Sequence, residues 1–93
     1  MAADLNEKVE RYERLLREAL EKAELAPIDR SHMYTVGQDY RNMAQSYYED
    51  GLHFVEENDP VNALVCFSYG HAWLDAGARL GVFDVDDDVL FTI

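Results

Sequence analysis

The sequence predicts an all-α fold, a three-helix antiparallel bundle with helices over residues about 4–25, 35–57 and 60–80. In each segment apolar residues recur at steps of three and four, the spacing of one helix face. Pro27 and the run Asn58-Asp59-Pro60 separate the segments. The chain has 93 residues, the size of one domain, and its 48% hydrophobic content is enough for a core.

The first helix should end before Pro27, because proline disfavours helical geometry in the residue before it. Its apolar stripe consists of Leu5, Val9, Tyr12, Leu16, Ala19 and Ala23. Four pairs at i, i+4 carry the acid on the N-terminal side, the more stabilising order. They are Glu7–Arg11, Glu10–Arg14, Glu13–Arg17 and Glu18–Lys22. We interpret this charged face as solvated.

The second helix is predicted from the apolar positions Val36, Tyr40, Met43, Tyr47, Gly51, Phe54 and Val55. Residues 28–36 before it are an ambiguous connector or early helix. Gly37 and Gly51 each weaken a helix by about 1 kcal/mol relative to alanine. We therefore expect another helix to cross close to these glycines.

The third helix has clear boundaries. Asp59 can cap it, Pro60 suits the first helical position, and Gly81 can end it. Between Val61 and Trp73 it is uncharged and apolar on all sides. Such a helix is either central or pressed against a second subunit. The expected core includes Leu16, Tyr47, Phe54, Leu64, Phe67 and Leu74.

The end of the chain is predicted to be a short acidic tail, residues 82–93, attached to a single domain of residues 1–81. It carries Asp84, Asp86, Asp87 and Asp88, which favour exposure. The last five residues, 89–93, are mostly apolar. They either dock on the bundle as a short extended segment or remain exposed.

The net charge is −11, from 19 acidic and 8 basic residues, of which only Lys8 and Lys22 are lysines. This charge repels phosphate backbones and anionic lipids, so no nucleic-acid or membrane partner is expected. Molar salt would screen the repulsion within the chain. We favour a halophilic cytosolic protein over an ordinary protein with an acidic tail, because the acids are spread along the chain.

With no apolar span and no signal-peptide pattern, we expect a cytoplasmic location.

No catalytic constellation stands out, so we expect neither enzymatic activity nor a cofactor. Cys66 lies in an apolar run and is interpreted as a small buried hydrophobe. The metal-ligand candidates are Asp50 and His53 on the second helix and His71 and Asp75 on the third. The simpler interpretation is that His71 and Asp75 bind each other or a tyrosine and fix the helix register.

Two further patterns concern the second and third helices. Small and aromatic residues fall at the spacings of a tetratricopeptide hairpin; they are Gly51, Phe54, Ala63, Phe67 and Gly70. There is one hairpin, so we expect helix one to close it into a bundle. Tyrosines 40, 47, 48 and 69 either pack in the core or line a peptide-binding groove.

The sequence from Met43 to Gly81 resembles a family of short archaeal proteins, domain of unknown function 357. The resemblance rests on Tyr47-x-x-Asp50 and on Tyr69-x-His71-x-x-Leu74-Asp75-Ala76-Gly77. It implies a compact three-helix bundle of archaeal origin and no particular activity. It also marks a possible binding surface at Tyr47, Asp50, Tyr69, His71 and Asp75.

The leading functional hypothesis is a non-enzymatic protein-interaction module of a halophilic archaeon. It would bind a protein partner, or form a homodimer, through helix three and the tyrosine-lined face of helix two. The alternative is a small metal- or ligand-binding bundle that uses Asp50, His53, His71 and Asp75. Nucleic-acid processing is the least favoured class because of the charge.

Overall fold

A computed structural model describes residues 2–27 and 29–91 and contains three helices. They are α1 (Leu5–Lys22), α2 (His32–Glu56) and α3 (Pro60–Leu80). α2 runs antiparallel to both neighbours. Along α2, Arg41 and then Tyr48 contact Leu20 and then Glu13 of α1. Likewise, Tyr40 and then Gly51 contact Trp73 and then Phe67 of α3. The predicted all-α three-helix bundle is confirmed.

The helix ends follow local chemistry. Asp4 accepts hydrogen bonds from the backbone of Asn6 and Glu7 at 3.0 and 3.3 Å and caps α1. Asp59 accepts from the backbone N–H of Asn62 at 3.1 Å, and Pro60 occupies the first turn of α3, as predicted. α2 begins earlier than expected, because Ser31 caps it by accepting from the N–H of Tyr34. The ambiguous connector is thus helical from residue 32.

α3 lies at the centre of the bundle and packs against both other helices. Leu16, Phe67 and Leu74 are fully buried, as predicted, while Phe54 and Leu64 are half-buried against this core. The expectation for Tyr47 was wrong. Its Cβ lies over the backbone of Gly70, so its ring extends outward and packs on Tyr69 at 5.0 Å between centroids.

The residues after α3, here called the C-terminal segment (82–91), return to the bundle. Val82, Phe83, Leu90 and Phe91 are buried with the helix core. Backbone hydrogen bonds join Ala26 N–H to the Val82 carbonyl at 3.0 Å and Asp84 N–H to the Glu24 carbonyl at 2.8 Å. Leu90 and Phe91 therefore dock on the bundle as one alternative expected, but through a turn over residues 88–90 and not as an extended segment. Residues 92 and 93 lie outside the described part.

Asp87 anchors this segment, although its three neighbouring acids are exposed. Its carboxylate accepts from the backbone of Val89 and Leu90 and from Lys22 Nζ, the last at 2.9 Å. The Lys22 ammonium and then these backbone donors hold the pKa of Asp87 below its ordinary value. The same ion pair raises the pKa of Lys22.

Two of the four ion pairs predicted on α1 form, and the basic residues of the other two have different partners. The Glu7–Arg11 and Glu13–Arg17 pairs form, at 3.4 and 3.0 Å. Arg14 lies instead beside Glu18, at 3.8 Å, and Lys22 beside Asp87. The reason is geometric: Glu18 is one turn beyond Arg14 and Asp87 is fixed within reach of Lys22.

Tyr48 links α1 to α2. Its hydroxyl donates to Glu13 Oε2 at 2.7 Å, and its ring lies 6.0 Å from that of Phe67. Burial and this hydrogen bond raise the pKa of Tyr48 to about 12. Tyr48 thus belongs to the interior side of α2 rather than to an outer groove.

Gly37 and Gly51, the two glycines of α2, each permit the close approach of another part of the chain. Gly51 lies against the ring of Phe67 on α3, which confirms the expected helix crossing. Gly37 lies instead against Leu25 and Val82, so the chain that crosses there is the C-terminal segment and the α1–α2 connection.

We predict that Gly77→Ala destabilises the protein, because a Cβ at this position would collide with the ring of Phe83. The helix propensity of alanine favours the change by about 1 kcal/mol. Overpacking should still lower the free energy of unfolding by about 1–3 kcal/mol in urea denaturation. Adding Phe83→Leu should recover part of the loss. A Gly77→Ala variant more stable than the parent would contradict the packing described.

Candidate functional site

The five residues of the predicted binding surface lie on two different sides of the hairpin. Tyr69 and His71 are two positions apart on α3, which turns their side chains about 200° from each other. Tyr69 packs on Tyr47 on the outer side, whereas His71 and Asp75 line a cleft with Tyr12 and Leu15 of α1. The structure therefore divides the signature into a tyrosine pair and a histidine–aspartate pair.

The histidine–aspartate pair lies beneath the end of the C-terminal segment. The cleft has a volume of about 390 Å³ and is completed by residues 88–91. His71 Nε2 is hydrogen-bonded to the carbonyl oxygen of Leu90 and lies 3.7 Å from Asp75 Oδ1. A carbonyl oxygen can only accept, so Nε2 carries a proton and is the donor.

This geometry assigns a structural task to His71, since its proton joins α3 to the C-terminal segment. The prediction that His71 and Asp75 interact agrees with their 3.7 Å separation. Sequence reasoning missed the second partner, the carbonyl of Leu90. A backbone acceptor leaves no residue-type signal, and its position depends on how residues 82–91 fold back.

Asp50 and His53, the other two metal-ligand candidates, lie on α2 away from this cleft. Asp50 and His53 are exposed on α2, and His53 lies 3.9 Å from Glu57, one turn further along the same helix. Across residues 2–27 and 29–91, no three His, Cys, Asp or Glu side chains are grouped as metal ligands. The four candidates therefore do not converge on one site in the described structure.

Cys66 is buried, as predicted. Burial, followed by the nearby charge of Asp50, raises the pKa of its thiol. A raised pKa keeps the sulfur protonated and weakly nucleophilic. Cys66 is therefore a packing residue.

The solvent side of α3 is the most distinctive surface of the molecule. We call it the outer face of α3 and define it by the exposed residues of that helix, which are the apolar Val61, Val65, Tyr69, Ala72, Ala76 and Leu80 together with Asn62, Ser68 and Arg79. Val61 is 60% exposed, Val65 and Tyr69 are 55% exposed, and Leu80 is 50% exposed. Arg79 is the one charged residue among the exposed residues of this helix. α3 is thus central on one side and apolar toward solvent on the other.

Aromatic rings of α2 border this outer face. The Tyr47 ring packs on Tyr69, and the Tyr40 ring meets Trp73 edge-on at 5.1 Å. Tyr40, Tyr69 and Trp73 line a shallow depression of about 260 Å³ with Ala72 and Ala76. Three of the four predicted tyrosines therefore lie at this surface, and Tyr48 does not.

No helix in the described part of the chain is long and apolar enough to cross a membrane.

We predict that His71→Phe lowers the free energy of unfolding by about 1–3 kcal/mol, because it leaves the carbonyl of a buried residue, Leu90, without its donor. Amide exchange over residues 82–91 should accelerate more than exchange in the centre of α3. The matched control is His53→Phe at an exposed position, which should stay within about 0.5 kcal/mol of the parent. Equal effects of the two substitutions would refute the structural role of His71.

Comparison with the models of known protein families gives a match. The profile of the family described as "Protein of unknown function (DUF357)" matches residues 11–83. This range adds most of α1 to the resemblance seen between Met43 and Gly81, and it ends before Leu90. No curated protein and no solved structure matches the chain significantly. Because the profile covers well over half of the 93 residues, the chain belongs to the DUF357 family.

Proposed function

We propose that this protein is a non-enzymatic interaction module of the cytoplasm of a halophilic archaeon. It binds protein through the outer face of α3 and the bordering tyrosines of α2. The observation that supports this proposal is the charge distribution. A chain of net charge −11 leaves one helix face almost free of charge, with Arg79 its only exposed charged residue.

The composition of this face is that of a protein-binding surface. Interface cores are depleted of charged residues and enriched in tyrosine and tryptophan. The outer face of α3 offers exposed valines and a tyrosine, with Tyr47, Tyr40 and Trp73 at its border. Its apolar atoms gain about 25 cal/mol for each Å² removed from water. Contiguous apolar patches of this kind commonly mark sites of association.

Other classes receive less support. The strong negative charge opposes binding to a phosphate backbone. For the metal- or ligand-binding alternative, His71 would have to give up its hydrogen bond to Leu90, and Asp50 and His53 face solvent away from it. Cys66 gives little support to nucleophilic catalysis, because burial raises the pKa of its thiol.

We predict that Val65→Glu abolishes partner binding without unfolding the protein, because it puts a charge in the middle of an exposed apolar row. The measurement is affinity capture from the source cells in molar KCl, followed by reconstitution of the complex from purified components. Val89→Glu is the matched control, since Val89 is 80% exposed but lies on the C-terminal segment. A complex that forms equally well with all three proteins would exclude this face as the binding surface.

The halophilic origin makes a separate prediction. The melting temperature should rise steeply between low and molar KCl, because the Debye length falls from about 10 Å at 0.1 M to about 3 Å at 1 M and screens the repulsion among the acids. The Lys22–Asp87 pair will be weakened by the same screening, but it is one attraction against a net charge of −11. A melting temperature that is flat between 0.1 M and 2 M KCl would count against this origin.

A further inference from the structure

We infer that the outer face of α3 binds a second copy of this chain, with the two α3 helices antiparallel. This inference rests on the proposed function, because it takes that face as the binding surface and specifies its partner. Three properties of the face support it: the spacing of its residues, the sizes of their side chains and the charges at its two ends.

The spacing of the face is symmetric. The exposed residues of α3 stand at positions 61, 62, 65, 68, 69, 72, 76, 79 and 80, and all of them except Ser68 form pairs at equal distances from the midpoint of the set. Reversing the direction of the helix leaves the positions of these pairs unchanged. A two-fold symmetric interface requires a surface that complements itself when reversed in this way, since residue i contacts residue j and j contacts i.

The sizes of the exposed side chains also suit an antiparallel pair in which the midpoints of the two faces coincide. Reversal about the midpoint places Tyr69 opposite Ala72 of the second copy and Val65 opposite its Ala76. Tyr69 and Val65 thus each face an alanine, while Val61 faces Leu80 at either end. A parallel pairing would place Tyr69 against Tyr69 and Ala72 against Ala72, so one layer would be crowded and the next would be empty. Close packing therefore favours the antiparallel arrangement.

The charges at the ends of the face also fit. Arg79 is exposed near the C-terminal end of α3, whereas the turn before its N-terminus carries Glu56, Glu57 and Asp59. In the antiparallel pair the Arg79 of each copy lies opposite position 62 of the other, close to this acidic turn. In a parallel pair the two Arg79 side chains would lie together and repel each other. Complementary charges at a rim fix the register of an interface.

The overall charge explains why the partner is a second copy. A basic partner would be recognised through acidic side chains, which this face lacks. Two chains that each carry −11 can approach only where their own charges are absent, and the outer face of α3 is such a place. The remaining repulsion is screened by salt, so association strengthens as the KCl concentration rises.

A cysteine pair tests the partner and its orientation together. In a Cys66→Ala background, one preparation carries Val65→Cys and another carries Ala76→Cys, both at exposed positions. Mixing the two under mild oxidation in molar KCl should give a disulfide-linked dimer, because these positions oppose each other in the antiparallel pair. Either preparation alone should give almost none. Two copies of position 65 lie eleven residues apart along the axis, about 16 Å. A disulfide requires Cα atoms about 4.4–6.8 Å apart.

Two results of this experiment overturn the inference. Cross-linking of each preparation with itself would show a parallel pair, and no cross-linking in any sample would show that the face does not join two copies. Dimer from the mixture alone supports it.

Sedimentation equilibrium on the full chain separates this inference from the proposed function. The parent and the Val89→Glu control should approach twice the chain mass in molar KCl, and Ala72→Glu should remain at the chain mass, because it puts two charges beside the two-fold axis. A monomeric parent that still binds a different purified protein, in a manner lost on Val65→Glu, would overturn self-association and leave the proposed function standing. A parent dimer that Ala72→Glu leaves intact would overturn the inference, because the two copies would then join through another surface.

Discussion

One side of α3 is the surface on which the rest of the molecule is assembled. Phe67 and Leu74 are fully buried on that side, and α1, α2 and the C-terminal segment all pack against the helix. The close approach of these elements depends on small residues along α3, since Gly70 lies against Leu16 and Tyr47, and Gly77 lies against Phe83. A helix packed by three elements needs apolar residues around most of its circumference. α3 continues that composition onto the side that remains exposed.

The helices could be predicted because their signals are local. Asp59, Pro60 and Gly81 fix the ends of α3 through their own backbone and side-chain chemistry, and the apolar spacing fixes which residues turn inward. The inward direction of Leu16 on α1 follows from that spacing alone, whereas α3 is apolar on all sides and its spacing does not by itself single out Phe67 and Leu74. Tyr47 has the same spacing, but its Cβ lies close to Gly70 and its ring packs on Tyr69 outside the core. This contact joins residues far apart in sequence, so periodicity does not reveal it.

The C-terminal segment shows a second limit of sequence reasoning. Four aspartates in residues 84–88 suggest exposure, and three of them are exposed. The fourth, Asp87, pairs with Lys22 and accepts from two backbone N–H groups, which holds the turn that returns Leu90 and Phe91 to the core. The carbonyl of Leu90 then receives the proton of His71. The predicted contact between His71 and Asp75 is therefore present, but the hydrogen-bond acceptor of His71 is a backbone carbonyl that the sequence does not reveal.

The division of the signature residues has a functional meaning. Had Tyr47, Asp50, Tyr69, His71 and Asp75 converged, their polar groups would favour a small ligand. Instead His71 and Asp75 face inward and stabilise the segment that closes the core, and Tyr47 and Tyr69 stack at the border of an uncharged face. The first pair supports the fold, and the second presents aromatic surface beside Val65 and Ala72.

On a chain with 19 acidic residues, a helix face with a single charge requires the acids to be placed elsewhere at every turn. Folding alone does not demand that arrangement, because exposed positions on α1 accept acids freely; the contact with another protein surface that we propose would require it.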